Sequence, residues 1–268
     1  MHTHNRCHYR YLRLYAAIVS LSLRRSFTFR ANLVAETLVS VINVVASLAI
    51  LRSVFWIADS LHGWSDGEAT VLLGLYLIAS GLLGACIEPN LSWFRDQILQ
   101  GQLDDILVRP ASSAFLASLG TCSPFPLSQA LAGIAVLALG LRALDATPSP
   151  PNAVLAGMLF AAGCLSIWAI RLILASLAFW APSAQPDVGF RALWEFGRYP
   201  VSMYARPVRL ALTCVVPVAL VATIPTQVLA GRLSWTGIGI ALLVCGVMVA
   251  AARWVWLAGL RRYTSATS

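Results

Sequence analysis

The sequence predicts an all-α polytopic membrane protein with six transmembrane helices, an N-terminal interfacial amphipathic helix and both termini in the cytoplasm. Three observations predict it. Of 268 residues, 59% are hydrophobic and only 11% charged, whereas soluble domains carry about 25% charged residues. Apolar runs recur along the chain at roughly the 20 residues a helix needs to cross about 30 Å of hydrocarbon. The basic residues sort into alternate segments between those runs, as the positive-inside rule requires.

Composition also excludes functions. All 19 basic residues are arginine; there is no lysine. A Walker A phosphate loop needs a lysine to reach the β- and γ-phosphates, and pyridoxal and retinal Schiff bases need one too. The net charge of +8 could suggest nucleic acid. Here the arginines flank apolar spans and report topology instead, so no nucleic-acid partner is expected. The cysteines Cys7, Cys86, Cys122, Cys164, Cys214 and Cys245 include no CxxC pair. Most fall in apolar runs, where cysteine behaves as a small hydrophobe.

Residues 1–31 read as a cytoplasmic tail and interfacial helix. His2, His4, Cys7 and His8 could be a metal-binding tail or a plain terminus; no carboxylate or later histidine completes a site, so no metal is expected. From Tyr11 to Arg30 the apolar run is too short to span, and arginines flank it, which suits a helix in the head-group layer. Six arginines and no acid before residue 31 place this end in the cytoplasm.

A six-span domain is expected over 32–258. The first span covers about 32–51, with Glu36 near its cytoplasmic end. Its exit carries Arg52, Trp56, Asp59, Trp64, Asp66 and Glu68, which suit the outer interface. The second span covers about 69–87. Gly74, Gly81 and Ala85 share one helical face and allow close approach, either by a second subunit or by a helix of this chain.

An inner loop follows at 88–113. Pro89 breaks the span, and Arg109-Pro110 closes the segment. Trp93, Phe94, Ile98, Leu99, Leu103, Ile106 and Leu107 recur at helical spacing. That gives a helix with an apolar and an acidic side, the usual form of an element that packs on a partner. Within it, Gly101, Leu103, Asp104, Asp105, Leu107, Arg109 and Pro110 form the expected docking element, with Asp104 and Arg109 as its polar anchors.

The third span is placed at about 126–143, with an interfacial helix at 112–123; one kinked helix from 114 to 140 is the alternative. The fourth span, about 153–180, is apolar apart from Arg171. Its roughly 42 Å of helix exceeds the hydrocarbon thickness, so it tilts or protrudes. Arg171 is expected either to pair with Glu36, at similar depth, or to snorkel to the inner head groups.

Residues 181–208 turn polar again and read as a second cytosolic element, with Arg198, Tyr199 and Pro200, and Arg209 just beyond. The fifth span, about 209–229, contains Pro217 and Pro225, which kink it. It reads as a flexible pathway helix with a re-entrant outer end, or as a static kink. The sixth span covers about 236–257, and 259–268 form a cytoplasmic tail. Only Arg52, Arg142 and Arg232 fall on the outer side of this topology.

No catalytic residues assemble. Histidine is absent from every span and inner loop, and the adjacent Asp104 and Asp105 point about 100° apart on a helix. Intramembrane charges are few, Glu36 and Arg171, so no proton or sodium relay is visible. No internal repeat of the secondary-transporter kind is clear. An external motor acting on the inner loop is therefore the expected energy source. A non-transporting scaffold or sensor subunit is the alternative, and a motor-free facilitator a second one.

Three stretches carry a resemblance. Gly101-x-Leu103-Asp104-x-x-Leu107-x-Arg109-Pro110 resembles the inner loop after the second span of ABC-2 type permeases, the membrane subunits of ATP-binding-cassette exporters. Arg198-Tyr199-Pro200, with Pro207-x-Arg209-x-x-Leu212-Thr213-x-x-x-Pro217-Val218, resembles that family's approach to the fifth span. Trp256-x-x-Gly259-Leu260-Arg261-x-Tyr263 resembles its C-terminal ending. Pro124 and Pro126, at the start of the third span, and the histidine-rich residues 1–8 depart from the pattern.

The resemblance implies an ABC-2 type transmembrane domain in a bacterial plasma membrane. It implies two such permeases, identical or different, paired with two separate ABC ATPase subunits that bind ATP and Mg. No cofactor would be bound by this chain, and membrane lipid would surround it.

Overall fold

The computed structural model describes residues 17, 20–22, 30–57, 63–100, 113–144, 147–181, 184, 186–232 and 234–263. Every element among them is helical. The α-helices are α1 (Arg30–Ile57), α2 (Asp66–Cys86), α3 (Glu88–Leu99), α4 (Ser113–Leu119), α5 (Leu127–Arg142) and α6 (Pro150–Ser176). They continue with α7 (Pro186–Glu195), α8 (Arg206–Leu210), α9 (Val218–Val221), α10 (Thr223–Leu229) and α11 (Trp235–Arg262). Four stretches are long and apolar enough to cross a membrane: Val34–Ile57, Asp66–Ile98, Pro150–Phe179 and Trp235–Arg262. The bent pair Arg206–Cys214 and Val218–Leu229 makes a fifth if counted as one span. α5, at 16 residues, is about 24 Å long.

α2 is the axis of the bundle. Ser65 and Glu68 form a capping box at its start, each side chain accepting from the other's backbone N–H, so two otherwise orphaned donors are satisfied. Along its length it lies against α5 with almost nothing between the backbones. A Cβ on Gly74 would sit 2.6 Å from the Leu137 nitrogen, and one on Gly81 would sit 2.5 Å from that of Ala130. From the other side, a Cβ on Gly140 would sit 2.5 Å from the Val71 nitrogen. Glycines seven apart on both helices permit this approach, and dispersion contacts between backbones replace side-chain packing. The small-residue face of α2 is thus filled by this chain's own helix.

Contacts define two ends of the bundle. At the Trp64 end, Arg52 pairs with Asp66. Arg232 pairs with Glu68 at 2.8 Å and donates to the Gly63 carbonyl at 2.7 Å. At the opposite, Glu88 end, α3 leaves α2 and meets the closing turns of α6 and α11. α6 and α11 run parallel, with Cys245 Sγ 3.4 Å from the Ala162 carbonyl and Gly259 against the Phe179 ring. Outward faces of α1, α5 and α11 expose Leu38, Ile42, Val45, Leu131, Ile134, Leu243 and Val247, an apolar belt that suits lipid rather than water.

Two sequence expectations need correction here. Residues 181–208 do not form a loop at one end. Asp187 lies beside Arg171 and, through it, Glu88; Trp194 bonds Ser80; Arg198 lies over Tyr76; Ser202 accepts from Trp64. Segment 186–204 therefore runs the full length of α2, antiparallel to it. Hydropathy hides this passage because its charges count against it, whereas in the fold each of Asp187, Glu195 and Arg198 has a partner.

Residues 209–229 are not one kinked passage either. Arg209 stays at the Trp64 end, donating to the Ser202 and Tyr204 carbonyls at 3.0 and 3.3 Å. α8 and its π-helical continuation Ala211–Val215 lead inward and stop before Pro217, where the chain bends by 67° into α9 and α10. Val216 has left the helical region (φ −115°, ψ 89°), as residues preceding proline do. Leu220 and Val221 pack on Gly163, midway along α6, and the chain returns to Arg232 at the Trp64 end. The result is a re-entrant hairpin. Pro225 makes no mid-helix kink: it is the third residue of α10, where its missing N–H leaves no bond unmade.

Candidate functional site at the Glu88 end

The polar excursion after α2 is anchored at its base by one side chain. Asn90 is fully buried. Its Nδ2 donates to the Cys86 and Thr121 carbonyls at 2.8 and 2.7 Å, and its Oδ1 accepts from the Thr121 N–H and Oγ1–H at 2.6 and 2.9 Å. The Ser123 N–H donates to the Ala85 carbonyl at 2.8 Å. The departing and returning strands of the excursion are thereby tied together. Inside a protein such a satisfied amide fixes geometry, because each group left unpaired would cost about 1–3 kcal/mol.

α3 is seated by its apolar side. Leu91 and Phe94 are buried, and the Phe94 ring lies 5.0 Å from that of Trp256 and 5.9 Å from that of Phe179. So the helix rests on the ends of α6 and α11. Beyond α3, the expected docking residues Gly101, Leu103, Asp104, Asp105, Leu107, Arg109 and Pro110 lie outside the described residues.

A chain of alternating charges fixes α3 to its neighbours. Arg171 Nη1 meets Asp187 Oδ1 at 2.8 Å and Nη2 meets Glu88 Oε1 at 3.5 Å; Arg95 Nη1 meets Asp187 Oδ2 at 3.8 Å. The Arg171 guanidinium also stacks over Phe190, 4.9 Å from the ring centroid. Its side chain is only 4% exposed. Of the two alternatives expected for Arg171, the pairing with Glu36 is corrected: the guanidinium is held by Asp187 and Glu88 instead. Glu36 sits exposed on α1. Depth along the helices was readable, but the direction each side chain faces was not. A buried guanidinium is tolerable only with acids at both forks, and Glu88 and Asp187 supply them.

The residues expected in a second cytosolic element stitch the bundle instead. Arg198 pairs with Glu195 at 2.6 Å, donates to Ser47 Oγ at 3.2 Å and lies 5.8 Å above the Tyr76 ring. Tyr199 and Pro200 end one 3₁₀ turn and begin the next. Arg198 and Trp194, whose Nε1 donates to Ser80 Oγ at 3.0 Å, bind the polar passage to α1 and α2.

Sequence reading missed Asn90, Asp187 and Glu88 as site residues. Asn90 follows a helix-breaking proline, the one local hint available. In the returning strand, burial and then the nearby Cys86 thiol push the Cys122 thiol up to about 11. Among the described residues, no three His, Cys, Asp or Glu side chains group as metal ligands do.

A family model described as "ABC-2 family transporter protein" matches residues 41–267. That range runs from within α1 through α11. No curated protein and no solved structure matches the chain.

Proposed function

Because this chain belongs to the ABC-2 transporter family, we propose that it is the permease subunit of an ATP-driven exporter in a bacterial plasma membrane. Its partners are two separately encoded ABC ATPase subunits, which hold ATP and Mg, and a second permease, identical or different. The chain itself contributes no lysine-bearing nucleotide loop.

The observation that carries this reading is the anchoring of α3. Glu88, Arg171, Asp187 and Arg95 link it to α6 and α7, and Phe94 links it to α11. A push on the segment beyond α3, where Asp104 and Arg109 lie, is then delivered to three helices at once. Asn90 keeps the base of the lever closed while this happens. In this reading 186–204 is a crossing, the sixth with α1, α2, α5, α6 and α11. The 206–229 hairpin, turning at Pro217, closes the Trp64 end. The arginines of the first 31 residues and of Arg261 and Arg262 set the Glu88 end in the cytosol.

The test is purification of the tagged full-length chain from its own membranes in mild detergent. A Walker A ATPase should co-elute, with magnesium-dependent hydrolysis that vanadate blocks. A chain that elutes alone and without such activity ends the proposal.

A further inference from the structure

Between α2, the start of α5, α6 and α7 lies a cavity of about 280 Å³. Tyr76, Phe190 and Trp194 give it an aromatic wall, and Gln129, Arg171 and Arg191 line the same space. Its carboxylates are already engaged: Glu88 by Arg171 at 3.5 Å, Glu195 by Arg198 at 2.6 Å. What remains uncommitted is cationic. Arg191 is exposed and has no ion pair or hydrogen bond among the described residues. Nε of the buried Arg171 has no acceptor, and an unmade bond from a buried charged donor is costly.

The depth is equally specific. The wall along α2 and the start of α3 runs from Tyr76 to Glu88, about 18 Å of helix ending at the Glu88 end. Half the hydrocarbon of a bilayer is about 15 Å thick, so with Glu88 at the membrane surface the cavity reaches from the head groups of one leaflet down along its acyl chains. We propose that it binds the anionic head group, phosphate or carboxylate, of an amphiphile in that leaflet. Arg191 is the donor, and Arg171, its Nη nitrogens on Asp187 and Glu88, lines the same space. The aromatic wall takes the first methylenes. The volume falls just below the roughly 300–1,000 Å³ of drug-sized sites, so the rest of the chain stays in the bilayer. The inference needs only the membrane setting of α2 and α6 and stands apart from ATPase docking.

The experiment is native mass spectrometry of the full-length protein titrated with phosphatidylglycerol or with diacylglycerol, which carries no phosphate. The anionic lipid should be retained about tenfold more tightly, the effect of one charge-assisted hydrogen bond. Arg191→Gln should abolish that preference, and Arg191→Lys should keep part of it. Arg142→Gln, which removes an exposed guanidinium at the opposite end of the bundle, should leave it intact. Displacement of phosphatidylglycerol by millimolar inorganic phosphate would identify a free anion as occupant; its failure to displace would identify the lipid. Equal retention of the two lipids, or the same loss in Arg142→Gln as in Arg191→Gln, overturns the proposal.

Discussion

Arg171 and Asp187 stand 2.8 Å apart, and the guanidinium is almost entirely buried. This pair joins the last turns of α6 to the first turn of α7. Removing one member strands the other. We expect Asp187→Ala to lower stability by about 2 kcal/mol, less than the roughly 3–5 kcal/mol of a fully buried pair, because Asp187 is 30% exposed. Arg171→Met combined with Asp187→Leu should recover most of the loss. Thermal unfolding in detergent measures both, and an unchanged melting temperature for Asp187→Ala would show the pair to be idle.

Asn90→Ala leaves the Cys86 and Thr121 groups without their partner. The expected cost is about 1–3 kcal/mol, concentrated at the base of the excursion. A non-specific protease should then cut within 100–112 several times faster than in the native chain, while cutting elsewhere is unchanged. Uniform acceleration across the chain would mean the side chain only supports global stability.

Asp104→Arg tests the docking assignment directly. In the assembled transporter, ATP hydrolysis should persist while transport falls about tenfold or more, the scale of one interfacial charge pair. The melting temperature should not move. Normal transport would remove this residue from the docking element.

Gly74→Val places a side chain where the Leu137 backbone already is, 2.6 Å from the new Cβ. Folded protein should be lost, since backbone cannot yield as a flexible side chain would. Gly157→Ala is the control: its Cβ meets nothing within 4 Å, so yield and melting temperature should hold or rise. Equal tolerance of both would refute the close α2–α5 contact.

The raised Cys122 thiol predicts sluggish alkylation. With a value of about 11, only about one thiol in ten thousand is thiolate at pH 7. Labelling by maleimide, read on the Cys122 peptide, should rise nearly tenfold per pH unit up to pH 10. Fast labelling at neutral pH would place this thiol in water.

The four long apolar helices were legible because each is a continuous hydrophobic run bounded by charges. The α2–α5 contact was half legible: the recurrence of Gly74 and Gly81 marked a close-packing face but not its occupant. Segment 186–204 was not legible as a passage along the bundle. Its four charges and three short 3₁₀ or α pieces read as loop, because hydropathy weighs a side chain without knowing what neutralises it. Arg171 shows the same limit, since its partners are 83 and 16 positions away in sequence and only the fold sets their direction. The expected docking residues from Gly101 to Pro110 were legible as a motif, and they lie outside the described residues.

The shortness of α5 has a consequence for the surrounding bilayer. Its 16 residues reach about 24 Å against roughly 30 Å of acyl chain, and Leu131, Ile134 and Leu139 face outward along it. In the proposed six-crossing arrangement the membrane thins beside this one helix, or gathers shorter tails there. In that arrangement a thicker bilayer would widen the mismatch at α5.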